Sequence, residues 1–276
     1  MAVSDAVKRL YGGKITRGPH VYGASGVAFC LEAQVLEKRL NKPRVANGKM
    51  FLGKMLHAGV FPRIVHEVYP DGWFQRRKWH YEKVLTYNVP FREPVPGGEK
   101  YQFTLEAHCD LVMPNRDLIV EFKTTQSDIP FQRGEFITEA YIMQANAYAA
   151  MAGMKHWEIW VLHLDFENLD EIDPVSVIRG DTTMEEFQNF LERVWMVDTA
   201  VRNGQDLVGP EAAWECNRCE YVAACPVHAQ LRERVLALLP CEARDVPDEL
   251  QDEFAMMKRK NLVAYDKKTR KWVKNG

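Results

Sequence analysis

Residues 101–125, YQFTLEAHCDLVMPNRDLIVEFKTT, read as two β-strands joined by a tight turn. Residues 101–113 are rich in aromatic and aliphatic side chains, Pro114 to Asp117 supply turn chemistry, and residues 118–124 form a β-prone apolar run. Pairing that is symmetric about the Asn115–Arg116 bond makes paired residue numbers sum to 231, which sets Asp110 opposite Glu121 and His108 opposite Lys123. All four side chains then share one face of the hairpin. Two carboxylates opposed at about 5 Å repel each other unless something offsets them, and a divalent cation would. Lys123, on the same face, adds a positive charge able to orient a water or stabilise a developing phosphorane. An Asp followed by Glu-x-Lys is therefore a candidate hydrolytic metal centre.

The 276 residues suffice for a substantial core, and 46% hydrophobic with 27% charged residues is ordinary globular composition. A net charge of -2 and a pI near 6.5 exclude a global attraction to nucleic acid, so any such binding must be local. Two stretches offer it: residues 72–83, GWFQRRKWHYEK, and the basic tail 258–274. Each reads equally well as a solvated strand edge or a solubilising tail. No apolar run has the length of a membrane span, and residues 1–14 lack the apolar core of a secretory signal. The expectation is a cytoplasmic protein with no membrane partner.

Residues 25–40 have helical periodicity stopped by Asn41-Lys42-Pro43, which sets Cys30 in the first turns of a helix. A second helix over 46–69 carries Gly53-x-x-x-His57, with Gly53 leaving room for close approach of a sheet. Residues 79–89 read as a strand, and 94–98 as the turn into the hairpin. Residues 135–152 form an apolar helix ended by Gly153, and 156–164 a buried strand, so the hairpin continues through a right-handed crossover. Gln144 and Tyr148, four apart, lie on one helical face. Residues 165–181 read as a polar connection, and Thr183-x-x-Glu186 as the capping box of a helix to about Arg202.

The chain has six cysteines without secretory signals, which points to metal ligation or buried thiols rather than disulfides. Cys216-x-x-Cys219-x5-Cys225-Pro226 concentrates three soft ligands that suit zinc, copper(I) or an iron-sulfur centre. Cys109 and Cys241 read as non-ligands. A fourth ligand is needed for a closed site, and the choice between one zinc ion and a sulfide cluster stays open on spacing alone.

Asp110 with Glu121-Phe122-Lys123 resembles the PD-(D/E)XK nuclease motif. Gln144-x-x-x-Tyr148 is similar to the extra motif of its RecB-type branch, and Gly53-x-x-x-His57 to that branch's upstream histidine motif. Where the family often has Gly three residues before its Asp, this chain has Ala107. One cysteine ahead of the nuclease core and three behind it, here Cys30 with Cys216, Cys219 and Cys225, resembles the layout of AddB and of the CRISPR-associated Cas-four family of iron-sulfur exonucleases, which includes phage-encoded relatives.

The resemblance spans roughly residues 30–225 and implies an α/β fold, restriction-endonuclease-like, with a mixed central sheet flanked by helices. A 4Fe-4S cluster on the four cysteines would staple the N-terminal helix to the C-terminal segment. The competing reading is a zinc ion with His228 or Cys30 as fourth ligand. Mg²⁺ or Mn²⁺ would be held by His57, Asp110, Glu121 and the Phe122 carbonyl, with Asp110, Glu121 and Lys123 catalytic. Gln144 and Tyr148 would contact DNA, and the activity implied is single-strand DNA exonuclease. The expected organisation is one nuclease domain over 1–240, its iron-sulfur subregion made by Cys30 and 214–228, with a basic extension over 241–276. The alternative function is a non-catalytic nucleic-acid-binding or scaffolding subunit with a zinc staple.

Overall fold

A computed structural model describes residues 17–41, 48–71, 76–89, 102–125, 139–163, 175–207, 219, 221, 224–259 and 261–275. In chain order its main elements are β1 (Val21–Gly23), α1 (Ala24–Ala28), α2 (Leu31–Leu40), α3 (Gly48–Gly59), α4 (Phe61–Val68), β2 (His80–Val89), β3 (Phe103–Met113), β4 (Leu118–Thr125), α5 (Glu139–Ala152), β5 (His156–His163), β6 (Val175–Asp181), α6 (Met184–Asn203), α7 (Pro226–Ala237), α8 (Gln251–Arg259), β7 (Val263–Asp266) and β8 (Lys271–Lys274). They group into two compact units, Met1–Phe29 with Pro43–Asp198, and Cys30–Lys42 with Thr199–Gly276. No helix among the described residues is long and apolar enough to cross a membrane.

The first unit is a mixed sheet flanked by helices, in the order β1-β3-β4-β5-β6 with β2 on the other edge of β3. β3 and β4 pair in the expected register, Leu111 with Val120 and Met113 with Leu118. The turn is a short 3-10 helix over Pro114–Arg116, closed by Asp117 at φ 52. Asp117 then fixes the next strand, since its carbonyl accepts from the N–H groups of Lys155 and His156. β4 and β5 are parallel and joined through α5, whose alanines at 145, 147 and 149 are fully buried and let the helix lie close against the strands. Gly153, at φ +69, ends α5 as only a residue without Cβ does cheaply.

On the opposite face, Phe61 and Val65 of α4 pack on Leu111, Val120, Phe122 and Trp160. Phe61 and Phe122 stack at 4.1 Å. The expected single helix over 46–69 is broken at Val60, because Pro62 has no N–H to continue the ladder and suits a first turn instead. Trp79 and Tyr81, in the stretch 72–83 offered above for local nucleic-acid binding, are taken up by this core: Trp79 is buried with its indole N–H donating to Asn115, and Tyr81 packs against it. Residues 175–181, expected as connection, form edge strand β6 antiparallel to β5. No residue of β6 is fully buried, so its sequence carries little of the alternation that marks a half-buried strand.

In the second unit, Cys30 is the N-cap of α2 rather than a residue inside a longer helix. The helix breaks at Phe29, and the Cys30 Sγ accepts from Ala33 N–H at 3.4 Å. Val235, Leu250, Phe254 and Val263 form a separate small core under the β7–β8 hairpin.

Two glycines test the packing. A Cβ on Gly180 would sit 2.1 Å from Trp157 Cζ2, whereas one on Gly53 meets no described atom within 4 Å, so the close approach expected at Gly53 is absent among the described residues. Gly180→Ala is expected to lower stability by about 1–3 kcal/mol through overpacking. Gly53→Ala in α3 is expected to leave stability unchanged or raise it by up to about 1 kcal/mol. Urea midpoints of the two variants check both signs.

Candidate metal centre

The hairpin ladder stops at the Leu111–Val120 pair, one step short of Asp110 and Glu121. Beyond it the two strands part. β3 pairs along one edge with β2 from Phe103 to Val112, and along the other it passes from β1, which it meets at Thr104 to Glu106, to β4. In the opening, side-chain carboxylates take the place of backbone carbonyls. Phe122 N–H donates to Asp110 Oδ2 at 2.7 Å, and Asp110 N–H to Glu121 Oε1 at 3.3 Å. Asp110 is 8% exposed and Glu121 2%.

Three other side chains converge on this pair. From α3, His57 Nδ1 lies 3.0 Å from Asp110 Oδ1, its ring held edge-on to Phe61 and Phe122. From β4, Lys123 Nζ donates to Glu121 Oε2 at 3.0 Å. From α5, Gln144 Nε2 donates to the same oxygen at 3.2 Å. Tyr148 backs Gln144: its hydroxyl is in hydrogen-bonding contact with Gln144 and Ser25. Both α5 residues are buried, so the face they share is turned to the carboxylates and not to solvent.

The charges are mutually dependent. Burial, and then the Asp110 charge, push the Glu121 carboxyl up to about 7, with Lys123 pulling the other way. Burial disfavours the Lys123 ammonium, but Glu121 and Asp110 outweigh it and hold its pKa above the ordinary lysine value. Lys123 is therefore a cation at neutral pH. Burial likewise opposes charge on His57, and Asp110 more than compensates. Cys109 is fully buried next to these carboxylates, and its thiol is pushed far above its ordinary range, first by burial and then by Glu121. It is a packed thiol and not an available ligand.

One residue of the site escaped sequence reasoning. Glu82 stands across β2 from Asp110, between the pairs Tyr81 with Leu111 and Lys83 with Cys109. Its φ of 50 is unusual for a side-chain-bearing residue inside a strand. His57, Glu82 and Asp110 bring one ligand atom each within 4.8 Å of one another. An imidazole and hard carboxylate oxygens, with a second buried carboxylate that neutral pH would otherwise leave partly protonated, fit a divalent cation. Glu121 lies beside this trio, joined to it through the Asp110 backbone. Phe122, whose carbonyl was expected as a ligand, lies in the β4–β5 ladder opposite Trp160. A separate concavity of about 440 Å³, lined by Tyr69, Arg116, Trp157, Glu158, Arg179 and Asp181, contains none of these groups.

In the second unit, Cys30, Cys219 and Cys225 gather around Ala33, Leu36 and Tyr221. Two segments distant in sequence thus bring three cysteines into one packed cluster at the start of α2. Cys216 lies outside the described residues. Cys241 belongs to the other small core, and His228 Nδ1 is engaged by Glu253.

A family model described as PD-(D/E)XK nuclease superfamily matches residues 31–226. Among solved structures, that of SSO0001 superposes with a TM-score of 0.56 at 13% identity, over 82% of this chain and 97% of that one. The alkaline exonuclease LHK-Exo from Laribacter hongkongensis gives 0.45 at 13% identity, covering 72% and 93%. A phage-related exonuclease from Haemophilus somnus 129PT gives 0.34 at 14% identity, covering 71% and 96%. No curated protein sequence matches the chain. At 13% identity the likeness to SSO0001 speaks for the fold alone, but the family model covers well over half of the sequence and spans the whole carboxylate centre. The chain belongs to the PD-(D/E)XK nuclease superfamily.

Proposed function

We propose that the protein is a divalent-cation-dependent DNA nuclease of the RecB type, a single-strand exonuclease resembling the Cas-four family, whose cysteines hold a 4Fe-4S cluster. The observation that carries the nuclease reading is the buried Asp110–Glu121 pair at the parting of β3 and β4, ringed by His57, Lys123 and Gln144.

Asp110, Glu121, His57 and the Phe122 carbonyl would hold Mg²⁺ or Mn²⁺, with Glu82 as a further carboxylate within reach of His57 and Asp110. When bound, the cation supplies charge that polarises the scissile phosphate and lowers the pKa of a coordinated water. The chain's own groups do the rest. Lys123, kept cationic by its carboxylate neighbours, orients the attacking water and offsets the charge that builds on the attacked phosphate. Gln144 holds Glu121 in its rotamer, and Tyr148 holds Gln144. Both are spent on buried partners, so their influence on the DNA strand runs through the carboxylate they fix.

The cysteine cluster has a structural role in this reading. Cys30 at the N-cap of α2 accepts from Ala33 N–H at the positive end of the helix. A cluster on Cys30, Cys216, Cys219 and Cys225 would tie residues nearly two hundred positions apart. Closing so long a loop restricts the unfolded chain more than a local site would.

Lys123→Ala is expected to reduce Mg²⁺- or Mn²⁺-dependent cleavage of labelled single-stranded DNA by at least about 10²-fold, with melting temperature and visible absorption kept. Cleavage at the wild-type rate would sink the role given to Lys123. Added Mn²⁺ is expected to raise the melting temperature, by about 2.7 kcal/mol of stabilisation at a hundred times its dissociation constant. Asp110→Asn should abolish that shift. Anaerobically purified protein is expected to absorb at about 400 nm, as iron-sulfur proteins do, and Cys30→Ser or Cys225→Ser to lose the band. A colourless protein containing one zinc would replace the cluster in this scheme.

A further inference from the structure

The carboxylate centre leaves one part of the chain unexplained. β7 and β8 pair antiparallel, Val263 with Lys274 and Asp266 with Lys271, to make a two-stranded ribbon near the C-terminal end. Residues 263–275 carry five basic side chains, Lys267, Lys268, Arg270, Lys271 and Lys274, against one carboxylate, Asp266. All five are exposed, and none makes an ion pair among the described residues. Asp266 is turned inward on the turn itself, accepting from Lys268 N–H and the Thr269 hydroxyl at 2.9 Å each. Those bonds hold its carboxyl below the usual range, so it remains charged, but it neutralises none of the neighbouring cations by contact.

This is a rigid mount and not a loose tail. Trp272 exchanges backbone hydrogen bonds with Cys241, and its ring meets Phe254 edge-on at 5.5 Å. Lys258 Nζ lies over both rings, Val263 is buried in the small core, and Asn275 is tied back to Leu262 and Asn261. Arg270, at φ 56, closes the four-residue tip Lys267–Arg270 in the left-handed region. Five like charges on so small a ribbon repel one another, and they lie on a chain whose net charge is -2. A solubilising surface needs neither the fixed geometry nor the excess of one sign. A polyanion with regularly spaced charges profits from both, because cations mounted on an ordered backbone release condensed counterions without a further cost of backbone ordering.

We propose that the β7–β8 hairpin is a second, sequence-independent DNA-binding element that grips the sugar-phosphate backbone through Lys267, Lys268, Arg270, Lys271 and Lys274. The choice of DNA among polyanions rests on the nuclease reading; the presence of a phosphate-binding element does not.

The test uses the full chain without added divalent cation, so that no cleavage occurs, and fluorescence anisotropy with labelled single-stranded and duplex 30-mers over a range of salt. Lys267→Glu/Lys268→Glu/Arg270→Glu is expected to weaken binding at least tenfold at low salt. The slope of log affinity against log salt should fall by about 2–3 units for three lost phosphate contacts. The milder Lys267→Gln/Lys268→Gln/Arg270→Asn, whose Asn tolerates the left-handed backbone, should lie between the two. Circular dichroism and melting temperature confirm folding. Unchanged affinity and slope for both folded variants would overturn the inference, as would unchanged DNA binding with loss of binding to phosphatidylserine vesicles. Wild-type protein that cleaves nothing with Mg²⁺ or Mn²⁺, yet binds DNA through this hairpin, would remove the nuclease reading and leave the inference standing.

Discussion

Leu111 and Val120 are the last paired residues of the β3–β4 ladder, and the backbone donors just beyond them bond to carboxylates instead of carbonyls. That exchange is the constraint on which the first unit depends. Burying a carboxylate costs several kcal/mol unless donors replace its water, and charge-assisted hydrogen bonds return about 1.5–3 kcal/mol each. Glu121 has three such donors, Asp110 N–H, Lys123 and Gln144. Their bonds satisfy its oxygens but undo neither its burial nor the repulsion from Asp110, which in that order push its carboxyl up to about 7. The remaining imbalance suits a cation, and the fold supplies it with an imidazole and a further carboxylate.

The parting of the strands also explains how helices on opposite faces meet at one place. Phe122 points into the layer formed with Phe61 and Val65, while its neighbours Glu121 and Lys123 point toward α5. In a continuous ladder these two faces would be separated by the sheet. Where β3 and β4 diverge, His57 reaches Asp110 from the α3 side and Gln144 reaches Glu121 from the α5 side. Lys123 lies 5.5 Å from the centre of the Tyr141 ring, an apolar wall that limits its rotation and keeps its ammonium over the carboxylates.

The second unit follows a different physical rule. Its apolar cores are small, one around Phe254 and one around Leu36 and Tyr221, and in the latter three of the packed groups are cysteines. A small core gains much from covalent or metal cross-links, so the cluster proposed on these cysteines would contribute where hydrophobic area is scarce. The β7–β8 hairpin stands on the other core, which accounts for a strongly basic segment being ordered at all.

Much of the candidate centre was legible in the sequence because it is local. A tight turn sets the register of its own hairpin, so Pro114 to Asp117 sufficed to align Asp110 with Glu121. The alternation of a strand then put Lys123 beside Glu121, and helical spacing put Gln144 and Tyr148 on one face. The break at Phe29, the strand over 175–181 and the burial of Trp79 were not legible, since each is decided by what packs against it. Glu82 is the clearest case. Its position across from Asp110 follows from the β2–β3 register, and the connection between those strands is too long for its residues to dictate that register. Short-range chemistry therefore determined which groups could act together, and closure of the sheet decided which distant ones joined them, because strand pairing across long connections is settled only when the whole core packs.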